Sequence, residues 1–301
     1  MEHFYREQLW DAWVSGPVVE LTDIPVAKAQ LMGRVNDFDG GRTGGWMASL
    51  KNPTWRAVRC AHSGHSIHCV SDRPFEALTR ELQYGLHLLA WMSQRTPIVW
   101  YWWDQPWPRL LPAMTEPQKE HLNGGWAVPH VAEVHVYRRE EAHKVLLHET
   151  IHALGLDVSP TLVDPVRARF EEALGRSLWP HLGEAFTELF AEWLWTVADA
   201  YSIKDAKKRW DSQLKCSEHQ AASIWRRIRT TKRPEDTNVF AYYILKWVLM
   251  QHLEEVLFGE THALNMWFEW WTIAQPRLDA MAQAASATMS QELTMGMTCH
   301  A

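Results

Sequence analysis

Within the apolar run "KVLLHETIHALGL", residues 144–156, two histidines stand four residues apart, with a glutamate directly after the first. On an α-helix, positions i and i+4 project from one face a turn apart. His148 and His152 can therefore each place one imidazole nitrogen on a single metal ion. Glu149 points in an adjacent direction, suited to hold a water on that metal rather than the metal itself. These are the groups metal-assisted hydrolysis needs: zinc lowers the pKa of its water, and a carboxylate takes the proton as the water attacks.

A catalytic zinc has three protein ligands and one open position, so one ligand remains to be found. A third histidine ten residues after the first is ruled out, because Val158 stands there and Asp157 is one residue out of register. No upstream Glu-Gly-Cys motif offers a cysteine. What remains is "LGEAFTELFAEWLW", residues 182–195, where Glu184, Glu188 and Glu192 fall on one helical stripe with no Lys or Arg at i+4. A solvated helix face commonly carries such balancing cations. Three uncompensated carboxylates facing a cation make better electrostatic sense, with Glu184 preferred to Glu188 as the ligand.

"HETIH" followed by "GEAFTELFA" resembles the gluzincin clan of zinc metallopeptidases, in which alanyl-aminopeptidase-type enzymes open a similar Asn-Glu-Gly-Phe-Ala segment with the ligand glutamate. Carried over by position, the resemblance implies Glu184 as third ligand and Glu188, one turn on, as the carboxylate that orients a ligand histidine. It also implies a Tyr or His from a later helix at the oxyanion. "FAYYILKW" offers Tyr242 and Tyr243 for that role, about 100° apart on an α-helix so that one at most faces the site. The segments "LNGGWA", "VYRREEAHKVLLHETIHALGLD" and "NVFAYYILKW" are also similar to uncharacterised predicted zincins of large DNA viruses and protists. The Gly-Ala-Met-Glu-Asn strand of the aminopeptidases is missing, so recognition of a free N-terminus is not implied.

Other groupings have plainer readings. "CAHSGHSIHC" gathers Cys60, His62, His65, His68 and Cys69, but its spacing fits no standard structural zinc pattern and is read as a hairpin. Lys144 and Glu141 are read as an exposed helix stripe. "NDFDGGRTGG" lacks the Gly-Lys-Ser/Thr ending of a phosphate loop and has Trp46 where a calcium loop closes with glutamate, so it is read as a flexible turn.

The elements that must position these residues follow from periodicity. Strands are expected at 55–61, 66–71, 97–103 and 132–138, and a helix at 74–95. "LNGGWA" reads as a turn. The helix carrying His148 stops at Gly155, and helices then follow at about 162–175, 181–201, 216–230, 237–257 and 262–284. Strands first and helices later make an α+β arrangement. We expect a zincin-like fold, a twisted mixed sheet packed on the HExxH helix with a mainly helical C-terminal half. The divisions expected are 1–50 (N-terminal extension), 51–157 (sheet and HExxH helix), 158–285 (helical part with the third ligand) and 286–301 (flexible tail).

Composition sets the remaining bounds. The 301 residues include 47% hydrophobic and 22% charged, with net charge -6 and pI near 6.2. That is an ordinary globular balance and argues against nucleic acid as partner. There is no 18-residue apolar run and no signal-like start, so an intracellular, cytoplasmic setting without membrane association is expected. Four cysteines suggest a reduced default, with Cys60 and Cys69 able to pair across a hairpin. The expected function is hydrolysis of peptide bonds in a peptide or protein substrate, with one Zn2+ per chain. Strand 132–138 is expected as the sheet edge that receives the peptide. Two other readings use the same residues: a catalytically inactive zincin-like binding protein, and a zinc amidohydrolase acting on a small substrate. A purely structural zinc site has no use for Glu149, which favours hydrolysis.

Overall fold

In the computed structural model, residues 11–15, 20–36, 38–108, 117–229, 233–259 and 263–284 are described. The tail expected at 286–301, with Cys299, lies outside them. The chain is mixed α+β and forms two compact units.

The first unit comprises residues 1–108, 123–156 and 194–203. Its sheet has six strands: β1 (Leu21–Asp23), β2 (Thr54–Cys60), β3 (Ser66–Ser71), β4 (Val99–Asp104), β5 (Gly125–Ala127) and β6 (Glu133–Val136). Their order is β1-β2-β3-β4-β6-β5. β3, β4 and β6 run parallel in the middle, and the other pairings are antiparallel. β3 is buried at every position and β4 at all but its first, as strands covered on both faces must be. Helices of this unit include α1 (Lys28–Gly33), α2 (Arg42–Ser49), α3 (Phe75–Met92) and α4 (Ala142–Ala153), the last carrying His148 and His152.

Strand alternation sorts the aromatic payload between two layers. Tyr101 and Trp103 of β4 join Leu31 of α1 and Trp46 of α2 in one core cluster. Trp100 and Trp102 point the other way, towards α3 and α4, where both approach His143. At the end of β4, fully buried Asp104 accepts Arg73 Nε at 2.7 Å and Arg139 Nε at 3.0 Å, while Arg73 Nη1 also reaches Glu81 of α3 at 2.6 Å. Paired arginines allow a carboxylate to be buried there without an unbalanced charge.

Two expectations are corrected in this unit. Strand 132–138 is not the sheet edge: β6 is flanked by β4 and β5, and the edge is β5 inside "LNGGWA". A three-residue strand is too short to show a period, so its glycines alone were legible and suggested a turn. Residues 38–45 of "NDFDGGRTGG" are not a loose turn: they lead into α2, and buried Asp39 accepts both the backbone N–H and the hydroxyl of Thr43 in its first turn. Cys60 and Cys69 are free and buried, in line with the reduced default for that pair, each facing a different register partner. In the second unit Cys216 is disulfide-bonded, against a fully reduced set.

The second unit comprises residues 109–122, 157–193 and 204–301. It holds α5 (Pro160–Leu174), most of α6 (Glu184–Ala198), α7 (Ile203–Ile228), a π-helix (Phe240–Leu245) and α8 (Ala263–Ala284). Phe170 of α5 sits at the centre of its core, edge-on to Phe240, Phe268 and Trp271. Glu235 ties the entry of the π-helix, accepting the N–H of Trp179 at 3.0 Å and of Phe240 at 2.8 Å. No helix among the described residues is long and apolar enough to cross a membrane.

Two helix glycines test the packing in opposite directions. A Cβ on Gly45 of α2 would meet nothing within 4 Å, whereas one on Gly85 of α3 would lie 2.4 Å from Trp100 Cζ3. Gly45→Ala should stabilise by about 0.5–1 kcal/mol through helix propensity. Gly85→Ala should destabilise by about 1–3 kcal/mol through overpacking. Urea unfolding of the two variants checks both signs.

Candidate metal centre

Ten of the twelve residues of α4 are buried, including His148, Glu149 and Thr150 in mid-helix. The helix is packed against β5, β6 and α3. Lys144 is part of that buried set, only 1% exposed, so the expected exposed stripe of Lys144 and Glu141 is corrected. With so much of the circumference covered, no solvent stripe is left for Lys144. The helix ends where Gly155 adopts φ +64, with the imidazole of His130 lying over it so closely that a Cβ would meet Cε1 at 2.2 Å.

The two histidines converge. His148 Nε2 and His152 Nε2 lie 3.2 Å apart, with the rings at 71° to each other. Two nitrogens each about 2.0–2.1 Å from one tetrahedral zinc would be separated by about 3.3–3.4 Å, so the pair already has the spacing of a shared ion. His148 and His152 thus offer two metal-ligand nitrogens from the first unit, while Glu184 belongs to the second. Two imidazole nitrogens at this spacing suit zinc, which takes further donors at its other positions. The histidine pair therefore fits the ion the sequence implies.

Glu149 is 5% exposed and stands over β5, where Gly125 leaves it room: a Cβ there would lie 3.0 Å from Glu149 Cγ. Beside it, the Tyr137 hydroxyl donates to Asn36 Oδ1 at 3.0 Å. Burial foremost, then the charge of Asp39, holds that phenol well above its usual pKa, with Glu149 adding to the effect. Neither Gly125 nor the loop bearing Asn36 was found from sequence. The available signal was the Gly-Gly pair directly before Trp126.

Glu184 opens α6, and its carboxylate is approached by the Tyr242 hydroxyl at 3.5 Å. Tyr243 is 1% exposed within the core of its own unit. The segment 240–245 is a π-helix, so the angular separation assumed for an α-helix does not apply. The acidic stripe is not a solvated face, since Glu188 is 1% and Glu192 0% exposed. It is also not wholly uncompensated, which corrects that expectation: Lys246 Nζ, itself fully buried, lies 3.8 Å from Glu192 Oε2. A lone lysine inside "YYILKWVLM" was the readable sign of such a pair. Trp195, in the last turn of α6, stacks parallel to His143 of α4.

The hairpin histidines do not gather. His62 is exposed, His65 bridges Ser93 O and the Ile98 N–H, and His68 accepts the Ala27 N–H. They act as strand and loop ties. No family model matches the chain, and neither a curated protein nor a solved structure matches it.

A row of rings crosses the sheet to the edge strand beside Glu149. His68, Tyr101 and His135 stack in sequence, and Trp126 of β5 lies on His135 at 3.8 Å and 4°. Burial lowers the His135 pKa to about 3 from 6.5, with Arg34 contributing. The unfolded chain therefore binds a proton that the folded one refuses between those values. This stabilisation is complete above about 6.5 and is lost as pH falls towards 3. His135→Phe keeps the stack and removes the proton, so it should lose less stability than the wild type between pH 7 and pH 4 in urea unfolding.

Proposed function

We propose that the protein is a zinc-dependent metallopeptidase with a zincin-like fold, in which His148, His152 and Glu184 hold one zinc ion. The observation that carries the reading is the 3.2 Å approach of two imidazole nitrogens on a buried helix. A buried glutamate directly beside that pair supports hydrolysis over a purely structural site. When bound, zinc acidifies water towards neutral pH and polarises a carbonyl. Glu149 accepts the proton of the attacking water at its carboxylate and later returns it to the leaving amine. Tyr242, rather than Tyr243, is the candidate donor to the oxyanion, because its hydroxyl is the one near Glu184. Glu188 holds the N–H of a ligand imidazole and so fixes its orientation. An extended peptide pairs with the free edge of β5, the strand that lies against α4.

Purified protein should carry about one zinc per chain, as a single three-ligand site requires. Glu149→Gln should keep the zinc and lose hydrolysis by about 10²–10⁴-fold on a mixed peptide library, the range expected for a general base. Metal-free protein prepared without chelators ends the metallopeptidase reading. A zinc-loaded wild type that cleaves no peptide points instead to a binding domain or to a small-molecule amidohydrolase.

The choice of third ligand has its own test. Zinc titration should find Glu184→Ala largely metal-free. Glu188→Ala should still bind, weakened by about 10–100-fold, because an orienting partner tunes the site without forming it. If Glu188→Ala is the empty variant, the roles are exchanged. Tight zinc in both moves the ligand elsewhere, with Asp157 next.

A further inference from the structure

We infer that Gly125 is a positioning residue for Glu149, a backstop whose missing side chain sets where the general base lies. The inference rests on the proposed role of Glu149. Gly125 has no conformational reason to be glycine, since it is not among the glycines with positive φ. Space is the reason. A Cβ there would stand 2.5 Å from the carbonyl oxygen of His135, 2.8 Å from Val145 Cγ1 and 3.0 Å from Glu149 Cγ. The first of these atoms is backbone on the neighbouring strand and cannot swing aside. The other two belong to residues one turn apart on α4, so the helix closes directly onto this α-carbon.

The surface under Glu149 is fixed from both ends. Gly125 pairs with Val136 in the β5–β6 ladder, and the Tyr137 N–H donates to Gly124 O at 2.8 Å. Asn123 Nδ2 donates to Phe38 O at 2.7 Å, which anchors the start of β5 to the loop before α2. A side chain at 125 must therefore ease the edge strand off the His135 carbonyl and also press on Glu149. Glutamate has a flexible stem, so on the helix side its carboxylate is the part that yields. A shift of about 1 Å at a reacting group can cost about 10²-fold in rate.

The test uses the full chain and a peptide from the mixed library that the wild type cleaves. Gly125→Ala, Glu149→Gln and the double variant are made in the Gly45→Ala background, whose added stability offsets the strain. Gly125→Ala should lower kcat by about 10–100-fold, with KM and zinc affinity by titration each within about twofold of the parent. In the Glu149→Gln background the same substitution should cause no further fall, because two changes acting through one group are not additive. Parental kcat in Gly125→Ala overturns the inference. So does an equal fall in both backgrounds, loss of zinc together with activity, or failure to fold in the stabilised background, since each makes residue 125 a general structural requirement. If the zinc-loaded wild type cleaves nothing, the proposed function fails, and the inference falls with it before any substitution is made.

Discussion

Two imidazole nitrogens 3.2 Å apart in the middle of a helix buried on nearly every side impose the constraint on which the first unit is built. Polar rings and a carboxylate are costly in such surroundings unless each finds a partner. A helix of this kind cannot rely on solvent, so its neighbours must be close and fixed. The sheet meets that need with a central region covered on both faces. β3 and β4 give one face to α3 and α4 and the other to α1 and α2, and strand alternation divides the tryptophans between the two layers. β1 extends the sheet, and the loop before α2 anchors the start of the edge strand.

The edge strand shows how closely packing and chemistry are joined. β5 is only three residues long, yet it carries Trp126, which stacks on His135, and Gly125, which lies under Glu149. One residue of the strand points to the aromatic row, and the next leaves a gap on the helix side. The period of two that builds a sheet also places an anchor and a vacancy on opposite faces. Burial keeps His135 neutral, so the row contributes stacking without adding charge near the helix.

The second unit solves a different electrostatic problem. Its helix α6 carries Glu188 and Glu192 fully buried, with Glu184 half-buried at its start. Glu192 faces buried Lys246, and Glu184 faces Tyr242. Both partners come from one stretch, the π-helix and the turn that follows it. A π-helical segment widens the turn and changes which side chains share a face, a feature found often at functional sites. Lys246 therefore turns a stripe that reads as repulsive into one that carries its own counter-charge. Truncating one member of such a buried pair costs more than forming it gains.

The sequence by itself determined the local arrangements. His148, Glu149 and His152 share a helix because of a four-residue spacing and a terminal glycine, and both can be read from adjacent letters. The strands β2, β3 and β4, the helix α3 and the long C-terminal helices likewise follow from periods that fit within a dozen residues. The order of strands was decided only in three dimensions. Whether β6 is an edge depends on a short strand folding back beside it, through a turn in which His130 takes φ +63. The same holds for the exposure of Lys144, the partner of Glu192 and the rest point of Glu149. Each depends on a residue far away in the chain, and burial and charge pairing are properties of neighbours in space. Periodicity reports which face of an element is apolar; only the packed structure decides what that face meets.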